Sequence, residues 1–162
     1  MDNTIGGTPQ QNAWCEDWVQ FFITRRLQPQ LDRTRDEEAL RLGKLLIGRI
    51  PSLFAGLPVK PSLLHGDLWS GNIAAHAGAP VIFYPACYFG HNEAEFGMAW
   101  CANFSPAFFE AYHSLLPRQP GFEERRQLYT LYHILNHWNM FGGAYRGQAL
   151  GLLQTLSRSP AR

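Results

Sequence analysis

A carboxylate and a carboxamide stand five positions apart in the segment LLHGDLWSGN, which covers residues 63–72. Asp67 can accept the proton of a hydroxyl group, and Asn72 can offer its side-chain oxygen to Mg²⁺ from the other end of the same tight loop. Phosphoryl transfer to a hydroxyl needs both functions, together with cations that offset the phosphate charge. We therefore take Asp67 as the candidate catalytic residue and Asn72 as the candidate metal ligand.

The spacing of this pair matches D-L-x-x-x-N, the end of the catalytic-loop signature of protein kinases. A simpler interpretation is that Asp67 caps a turn and that Asn72 bonds to the backbone, and an isolated H-G-D tripeptide would favour it. The complete spacing, followed by a predicted hairpin, favours a kinase-type catalytic loop instead.

Tyr84 occupies the position that should complete a metal site of this kind. It follows the apolar run 81–83, and in the kinase signature an aspartate that holds Mg²⁺ follows the corresponding strand. A phenol with a pKa of about 10 stays neutral near pH 7, so it coordinates weakly and supplies no countercharge. Glu95 is no obvious replacement because it belongs to a separate segment. The sequence thus predicts a catalytic loop with an incomplete metal site.

The surrounding sequence predicts an α+β protein that is mostly helical. Five residues at helical spacing indicate a first amphipathic helix: Trp14, Trp18, Phe21, Phe22 and Arg25. Thr34 and Glu37 form a capping box for a second helix, which should stop at Pro51. Three later helices are predicted: from Ser105-Pro106 toward Pro117, from about Phe122 to Asn139 with Gly142-Gly143 as its end, and from Gln148 to Leu156.

The predicted β-structure is small and surrounds the loop. Residues 62–64 should form a buried strand, and residues 72–75 and 81–84 should pair as a short hairpin that brings Asn72 and Tyr84 near one cleft. The stretch from Leu68 to Asn92 has no Asp, Glu, Lys or Arg. Prolines, glycines and polar residues interrupt it, so we interpret it as a buried catalytic centre and not as a membrane span.

Two tryptophans are candidates for substrate binding. Trp69 lies inside the catalytic loop, where its ring can stack on a sugar or on a lysine-derived chain, and packing under the loop is the alternative. Trp138 belongs to the polar cluster NHWN, residues 136–139, on a mainly apolar helix, where buried polar groups need partners and can face the cleft. The other tryptophans considered, Trp14, Trp18 and Trp100, are expected in the core.

His91 and Glu93 are further candidates, because they lie just past Tyr84 and can either contact a substrate amine or order the loop. Arg125 is expected on a solvated helix face together with Glu124 and Arg126. His133 and His137 have H-x-x-x-H spacing, but Ile134 replaces the glutamate of H-E-x-x-H and no third ligand is apparent, so we predict no metal site there.

The composition indicates a folded, soluble protein. The sequence has 46% hydrophobic residues and a formal net charge of +1, which gives no electrostatic indication of nucleic-acid or membrane binding. Cys15, Cys87 and Cys101 lack metal-ligand spacing and are interpreted as free thiols in a reducing compartment. The sequence after Met1 has no signal-peptide pattern, so the cytoplasm is the expected location.

Several separated motifs resemble the fructosamine kinase family, also called ketosamine-3-kinases. They are TPQQN with Asp17-Trp18, LLHGDLWSGN, PVIF.PA.YFGH.E with dots at variable positions, FFEAYHSL.P..PGFE, and LYHILNHWNMFG followed by Tyr145-Arg146-Gly147. Members of the family carry F-D-P-A where this chain has FYPA, so the metal-binding aspartate of the family corresponds to Tyr84.

The resemblance implies a two-lobed kinase-like fold in which residues 1–162 form a single domain, the C-terminal lobe. It also implies ATP and Mg²⁺ as cofactors, and phosphorylation of the sugar 3-hydroxyl of ketoamines attached to proteins, a step of protein deglycation. The sequence has no G-x-G-x-x-G loop, and its only lysines, Lys44 and Lys60, fall in a helix and in a proline-rich connector. We therefore expect a truncated or degenerate form that lacks the nucleotide lobe and is inactive alone, with an exposed cleft that favours self-association.

Two other functions explain parts of the pattern. Tyr84 favours a non-catalytic module that keeps the cleft and binds ketoamine-modified proteins, small ketoamines or a partner chain. A kinase for another small hydroxyl substrate would share the H-G-D chemistry, but it does not account for the PGFE and NHWN segments.

Overall fold

The computed structural model describes residues 1–158. Within this range the protein is an α+β structure dominated by helices, which confirms the predicted class. The helices are α1 (Trp18–Phe22), α2 (Gln28–Thr34), α3 (Glu37–Leu53), α4 (Ala99–Ala102), α5 (Pro106–Leu115), α6 (Phe122–Phe141) and α7 (Arg146–Arg158). The strands are β1 (Asn3–Ile5), β2 (Thr8–Gln10), β3 (Ser62–Leu64), β4 (Ile73–His76), β5 (Ala79–Ile82) and β6 (Tyr88–Gly90).

The strands of residues 1–158 form three antiparallel pairs, β1 with β2, β3 with β6, and β4 with β5. Two-stranded pairs are marginally stable by themselves, so contacts with the rest of the chain must support them. No helix in the described part of the chain combines the length and the apolar character needed to cross a membrane.

Helix α6 forms the centre of the core. Leu128, Leu131 and Leu135, spaced three and four residues apart, are completely buried, as expected for the apolar stripe of a helix. The helix packs against α2, α7 and the 3₁₀ turn Asn92–Met98, and it ends at Gly142, whose φ of 91° favours glycine. The predicted position and apolar face of this helix are confirmed.

The first predicted helix is only partly correct. The helix begins at Trp18, where the Asp17 side chain accepts a backbone N–H at 3.0 Å, and Trp14 lies outside it with 66% of its surface exposed. After α1 the chain makes one wide π-helical turn, Ile23–Leu27, and continues as α2. Pro29 in the first turn of α2 has no N–H to donate and would clash in a regular helix interior. The wide turn accommodates it.

The two ends of α3 correct two predictions. Asp36 caps the helix, because its side chain accepts the N–H of Ala39 at 2.9 Å, whereas Thr34 is the last residue of α2. Pro51 does not stop the helix, which continues to Leu53. A proline in the last turn removes a single backbone hydrogen bond close to the end, where few bonds follow it.

Strand β3 leads to the H-G-D turn, and the hairpin β4–β5 follows the loop. Leu64 is buried but Leu63 is 66% exposed, because successive side chains of a strand point to opposite faces. The turn residues Ala77 and Gly78 both have positive φ, 50° and 79°, as a two-residue hairpin turn of this kind requires. The hairpin strands are almost entirely exposed. The interpretation of residues 68–92 as a buried centre is therefore wrong for the hairpin.

Candidate active site

Hydrogen bonds tie the H-G-D turn to the segment 83–86. Ala86 N donates to His65 O at 2.8 Å, and the His65 ring bonds through Nε2 to Phe83 O at 2.9 Å. Asp67 N donates to His65 Nδ1 at 3.3 Å, which assigns the ring proton to Nε2. His65 therefore fixes the loop backbone.

Gly66 allows the two segments to approach each other. Its φ of 79° lies in the left-handed region, and a Cβ at this position would lie 2.5 Å from the backbone oxygen of Ala86. Only glycine satisfies both constraints without a shift of the backbone. As a result, position 84 lies in a segment held against the loop that carries Asp67.

Asp67 and Asn72 face each other across the loop. Asn72 is buried, and its Nδ2 donates to Asp67 O at 2.9 Å and to Asp67 Oδ2 at 3.2 Å. Within residues 1–158, Asp67 Oδ1 and Asn72 Oδ1 have no hydrogen-bond partner and remain available to a ligand. Burial raises the pKa of Asp67, against the opposing effect of the Asn72 hydrogen bond. A raised pKa makes the carboxylate a better proton acceptor.

The structure supports both interpretations of this pair at once. Asn72 does bond to the backbone, as the simpler interpretation holds, and its amide nitrogen makes that bond. The oxygen of the same side chain stays free for a cation. The loop geometry thus combines a structural role for the nitrogen with a ligand role open to the oxygen.

Tyr84 does not complete a metal site. Its side chain is 81% exposed, and its backbone has φ 51°, in the left-handed region, directly before Pro85. Aspartate and asparagine are enriched there several-fold, whereas a bulky residue is strained. The backbone at this position therefore suits a small polar residue better than tyrosine.

The residues present fit Mg²⁺ poorly. Asp67 and Asn72 each leave one oxygen free, but the third position of the site holds a neutral phenol. The part of the chain that the structure describes contains no group of three or more His, Cys, Asp and Glu side chains arranged to hold a metal ion. Mg²⁺ prefers six oxygen ligands, including carboxylates and phosphates, so this chain alone offers an incomplete site.

His91 and Glu93 lie in the core behind the loop. Both are 3% exposed, and His91 Nδ1 is 2.8 Å from Tyr129 Oη. Burial lowers the pKa of His91 to about 4, so the ring is neutral near pH 7. Their partners are core residues, so the geometry favours a structural role for both side chains over contact with a substrate amine.

Arg125 corrects a prediction, because it is 2% exposed and not on a solvated face. Its Nε and Nη2 donate to the two carboxylate oxygens of Glu93 at 2.7 and 2.8 Å. Its Nη1 donates to Leu53 O at 3.1 Å and to Pro120 O at 2.7 Å. One guanidinium thus joins the end of α3, the segment before α6 and the turn after β6.

The NHWN cluster divides into separate roles. Asn136 accepts hydrogen bonds from Thr8 Oγ1 at 2.6 Å and from Gln30 Nε2 at 3.0 Å, and Asn139 donates to Gln30 O at 2.9 Å. Trp138 packs partly buried against the core. The two asparagines therefore hold the N-terminal hairpin and α2 against α6. The geometry favours a packing role for Trp138 over the predicted contact with substrate.

His137 is the member of the cluster that lies near Asp67. Burial lowers the pKa of His137, and the negative charge of Asp67 opposes this change. Its Nδ1 is buried and has no hydrogen-bond partner among the described residues. Sequence reasoning noted this histidine in the polar cluster but did not select it for substrate binding. The signal was its position on a mainly apolar helix, which did not distinguish it from its neighbours.

Aromatic rings surround His137. Its ring centroid is 5.7 Å from that of Trp100, 5.5 Å from that of Phe141 and 5.2 Å from that of Tyr145. Trp100 is 46% exposed, so its predicted place in the core is wrong. Trp100 on α4, Phe141 at the end of α6 and Tyr145 in the turn after α6 thus form an aromatic wall around His137.

Trp69 contributes a further exposed ring to the loop. It is 38% exposed, and it covers Gly71 so closely that a Cβ there would lie 2.2 Å from the ring. Trp69 therefore packs on the loop and still exposes part of its ring to a ligand.

A solved structure shares this fold. The crystal structure of a candidate fructosamine-3-kinase from Thermobifida fusca matches with a TM-score of 0.86 and 30% sequence identity, over 98% of this chain and 57% of that chain. The fold is therefore kinase-like.

Sequence relatives point to one family. Protein-ribulosamine 3-kinase, chloroplastic, of Oryza sativa subsp. indica is 51% identical over 98% of this chain and 48% of its own length. Ketosamine-3-kinase of Mus musculus is 48% identical over 94% of this chain and 51% of its own length. The fructosamine kinase family model matches residues 1–159. The chain belongs to the fructosamine kinase family.

The chain spans about half the length of the curated relatives it matches. The rice relative is named as chloroplastic, so the cytoplasmic location stays a prediction for this chain.

Proposed function

We propose that this chain is the acceptor-binding half of a ketosamine kinase, which phosphorylates the sugar 3-hydroxyl of ketoamines with ATP. The observation that carries the proposal is the geometry of Asp67. One carboxylate oxygen is bound by Asn72, and the other is free to accept a hydroxyl proton. The names of the rice and mouse relatives, a ribulosamine kinase and a ketosamine kinase, support this substrate class.

We infer that residues 1–162 correspond to the C-terminal lobe of such a kinase. Support comes from the catalytic loop, from the match to about half the length of the relatives, and from the lack of a G-x-G-x-x-G loop in the sequence. ATP supplies the phosphoryl group when it is bound. The residues of this chain hold the acceptor: Asp67 takes the hydroxyl proton, and the loop fixes its direction.

The surface beside Asp67 suits a sugar joined to a lysine side chain. Exposed faces of Trp69 and Trp100 can stack on the apolar faces of a sugar or on an alkyl chain. Ketoamine-modified proteins and small ketoamines are therefore the partners that this surface fits best.

We further propose that the isolated chain does not catalyse the reaction. Its site has Tyr84 in place of a metal-binding carboxylate, and its sequence supplies no lysine at a phosphate-binding strand. The presence of Tyr84 also favours the second candidate function, a module that binds ketoamines or a partner chain without turnover. The two candidates share this binding surface and differ in whether another chain completes the site.

Binding and turnover must be measured separately. Ribulosyl-lysine and fructosyl-lysine are titrated into the full chain by calorimetry, and phosphate transfer from ATP with Mg²⁺ is followed in parallel. We expect binding without transfer, and a roughly tenfold weaker affinity in Asp67→Asn because a charged hydrogen bond is lost. Glu110→Gln, on exposed α5, serves as a matched control and should bind as the wild type does. Robust turnover would contradict the proposed inactivity, and no binding of either compound would contradict the acceptor role.

Self-association is the last part of the proposal. Trp14, Leu63 and Phe89 are 66%, 66% and 57% exposed, and the rings of Trp14 and Phe89 are in edge-to-face contact at 6.4 Å. Clustered exposed apolar side chains commonly mark an interaction surface. Sedimentation velocity across protein concentrations should show association, and a compact monomer at all concentrations would contradict it.

A further inference from the structure

Glu95 is bound to the catalytic loop, although it lies 30 residues from His65 in the sequence. It belongs to the 3₁₀ turn Asn92–Met98 that packs on α6. Its Oε2 accepts the backbone N–H of His65 at 2.6 Å, and its Oε1 accepts that of Gly66 at 3.0 Å. Both carboxylate oxygens are therefore used on the two consecutive amides that precede Asp67.

These two amides need a partner. His65 is 8% exposed, and a buried N–H without an acceptor costs about 1–3 kcal/mol. The neighbouring backbone groups already have partners, since His65 O accepts from Ala86 N and Asp67 N donates to the His65 ring. Glu95 thus completes the hydrogen bonding of the turn, and it acts on the residues that set the direction of Asp67.

A comparison with Glu93, two residues earlier in the same turn, separates this role from general packing. Glu93 has its charge neutralised by Arg125. Glu95 has no cationic side chain within ion-pair distance among residues 1–158. Its charge is instead directed at two peptide dipoles of the catalytic loop.

We infer that Glu95 is a positioning residue for Asp67: its carboxylate clamps the amides of His65 and Gly66 and so fixes where the proton acceptor lies. The inference rests on the proposed function for the role of Asp67, but the clamp itself can be measured without any activity. Removal of the clamp should free the H-G-D turn while α6 and the core remain folded.

The first measurement is amide hydrogen exchange by NMR on the full chain. In Glu95→Gln the side chain keeps one acceptor oxygen and presents an NH₂ group to the second amide, so one bond is lost. We expect exchange at His65 and Gly66 to become roughly tenfold faster or more, with unchanged rates in α6. Glu110→Gln, an exposed glutamate on α5, is the matched control and should change neither amide. Unchanged exchange at both amides in Glu95→Gln would overturn the clamp.

The second measurement reports on Asp67 itself and distinguishes positioning from a merely structural role. Asn72 Nδ2 donates to Asp67 O at 2.9 Å and to Asp67 Oδ2 at 3.2 Å, so the NMR signals of the Asn72 side-chain NH₂ group report where the Asp67 carboxylate lies. At constant pH, Glu95→Gln should shift these signals toward those of a free carboxamide, and Glu110→Gln should leave them unchanged. Unchanged Asn72 signals in Glu95→Gln would overturn the positioning role.

A conservative variant protects the test against a failure to fold. Glu95→Asp keeps the carboxylate on a side chain one methylene shorter, so it should hold the Asn72 signals nearer to those of the wild type than Glu95→Gln does and retain part of the exchange protection. Asn72 signals shifted as far in Glu95→Asp as in Glu95→Gln would contradict the inference. If the chain bound no ketoamine, the proposed function would fail, and the two NMR measurements would still decide the role of Glu95.

Discussion

Residues 63–72 and residues 83–86 lie side by side in the site, but they differ in how far they serve the same chemistry. The first segment presents a carboxylate with one free oxygen, a carboxamide with a free oxygen, and a backbone whose amides are bound by Glu95 and His65. The second segment has the backbone contacts that hold it against the first, yet it presents Tyr84. The backbone of the site is therefore held in place at position 84, where the side chain is a phenol and not the carboxylate that the family resemblance implies.

The contrast shows that shape and reactivity are set by different atoms. Backbone groups and buried side chains hold the two segments together, and none of these contacts involves the Tyr84 side chain. A substitution at position 84 can therefore alter metal binding without loss of the fold. Changes at Gly66 or Glu95 would instead disturb the backbone contacts that shape the catalytic loop.

The largest expected effect comes from restoration of the missing carboxylate. The chain is joined to the N-terminal lobe of a family kinase, and this graft is compared with the same graft carrying Tyr84→Asp. A carboxylate at position 84 would allow a catalytic metal to bind, an effect worth several kcal/mol, so we expect a gain of roughly 100-fold or more in kcat. Phosphate transfer to ribulosyl-lysine measures it.

Asp67→Asn in the repaired graft provides the control. It should abolish the gain, because the loop loses its proton acceptor and nearly retains its shape. Equal activity of the graft with and without Tyr84→Asp would mean that another residue holds the metal. Tyr84 would then not be the defect that separates the segment 83–86 from the catalytic loop.

The elements around the site could be predicted wherever the signal was local. Ser105 caps α5 and Pro106 opens it, as their adjacency predicts, and α6 follows its apolar stripe. The errors have distant causes. Arg125 has the charge of a surface residue, but its partners Glu93 and Leu53 lie 32 and 72 residues away, and no local pattern reveals them.

The same distinction between local and distant signals explains which site residues could be predicted from the sequence. Asp67 and Asn72 were found from their spacing because both belong to one short loop. Glu95 was set aside because it belongs to a separate segment, although its carboxylate reaches the loop across that separation. Trp14 and Trp100 were placed in the core from their hydrophobicity alone, and only the packing shows that they remain exposed.

The second prediction breaks the contact between the two segments. Gly66→Ala places a Cβ 2.5 Å from Ala86 O at a φ of 79°, so either the backbone shifts or the strain remains. We expect a loss of about 2 kcal/mol in the free energy of unfolding, measured by urea denaturation. Gly48→Ala in α3 is the control, since a Cβ there meets no atom within 4 Å. It should be neutral or stabilising by up to about 1 kcal/mol. Equal effects of the two substitutions would contradict the close approach of the segments.

The third prediction concerns the core that supports both segments. Burial lowers the pKa of His91 from 6.5 to about 4 and that of His133 from 6.5 to about 3. The unfolded chain binds more protons than the folded chain below pH 6.5, so stability falls as the pH falls from 6.5 toward 4. These two histidines together should lower the melting temperature by roughly 6–12 °C between pH 6.5 and pH 5.

His133→Leu should reduce this acid sensitivity because it removes one of the two groups. His76→Gln, at the exposed end of the hairpin, should leave it unchanged. A melting temperature that does not vary over this pH range would show that the two histidines are accessible to protons in the folded state.

The smallest expected effect isolates the backbone of position 84 from its chemistry. Tyr84 has φ 51°, a conformation that asparagine adopts at lower cost than tyrosine. Tyr84→Asn also removes a ring that contacts Phe83 at 5.7 Å between centroids, but this ring is 81% exposed, so little packing is lost. The relief of backbone strain should therefore outweigh the lost packing and raise the free energy of unfolding by about 0.5–1 kcal/mol. Tyr84→Phe keeps the ring and should leave the stability unchanged. Destabilisation by Tyr84→Asn in urea denaturation would mean that the tyrosine ring contributes to the fold. The backbone contacts of the segment 83–86 would then depend on the side chain at position 84.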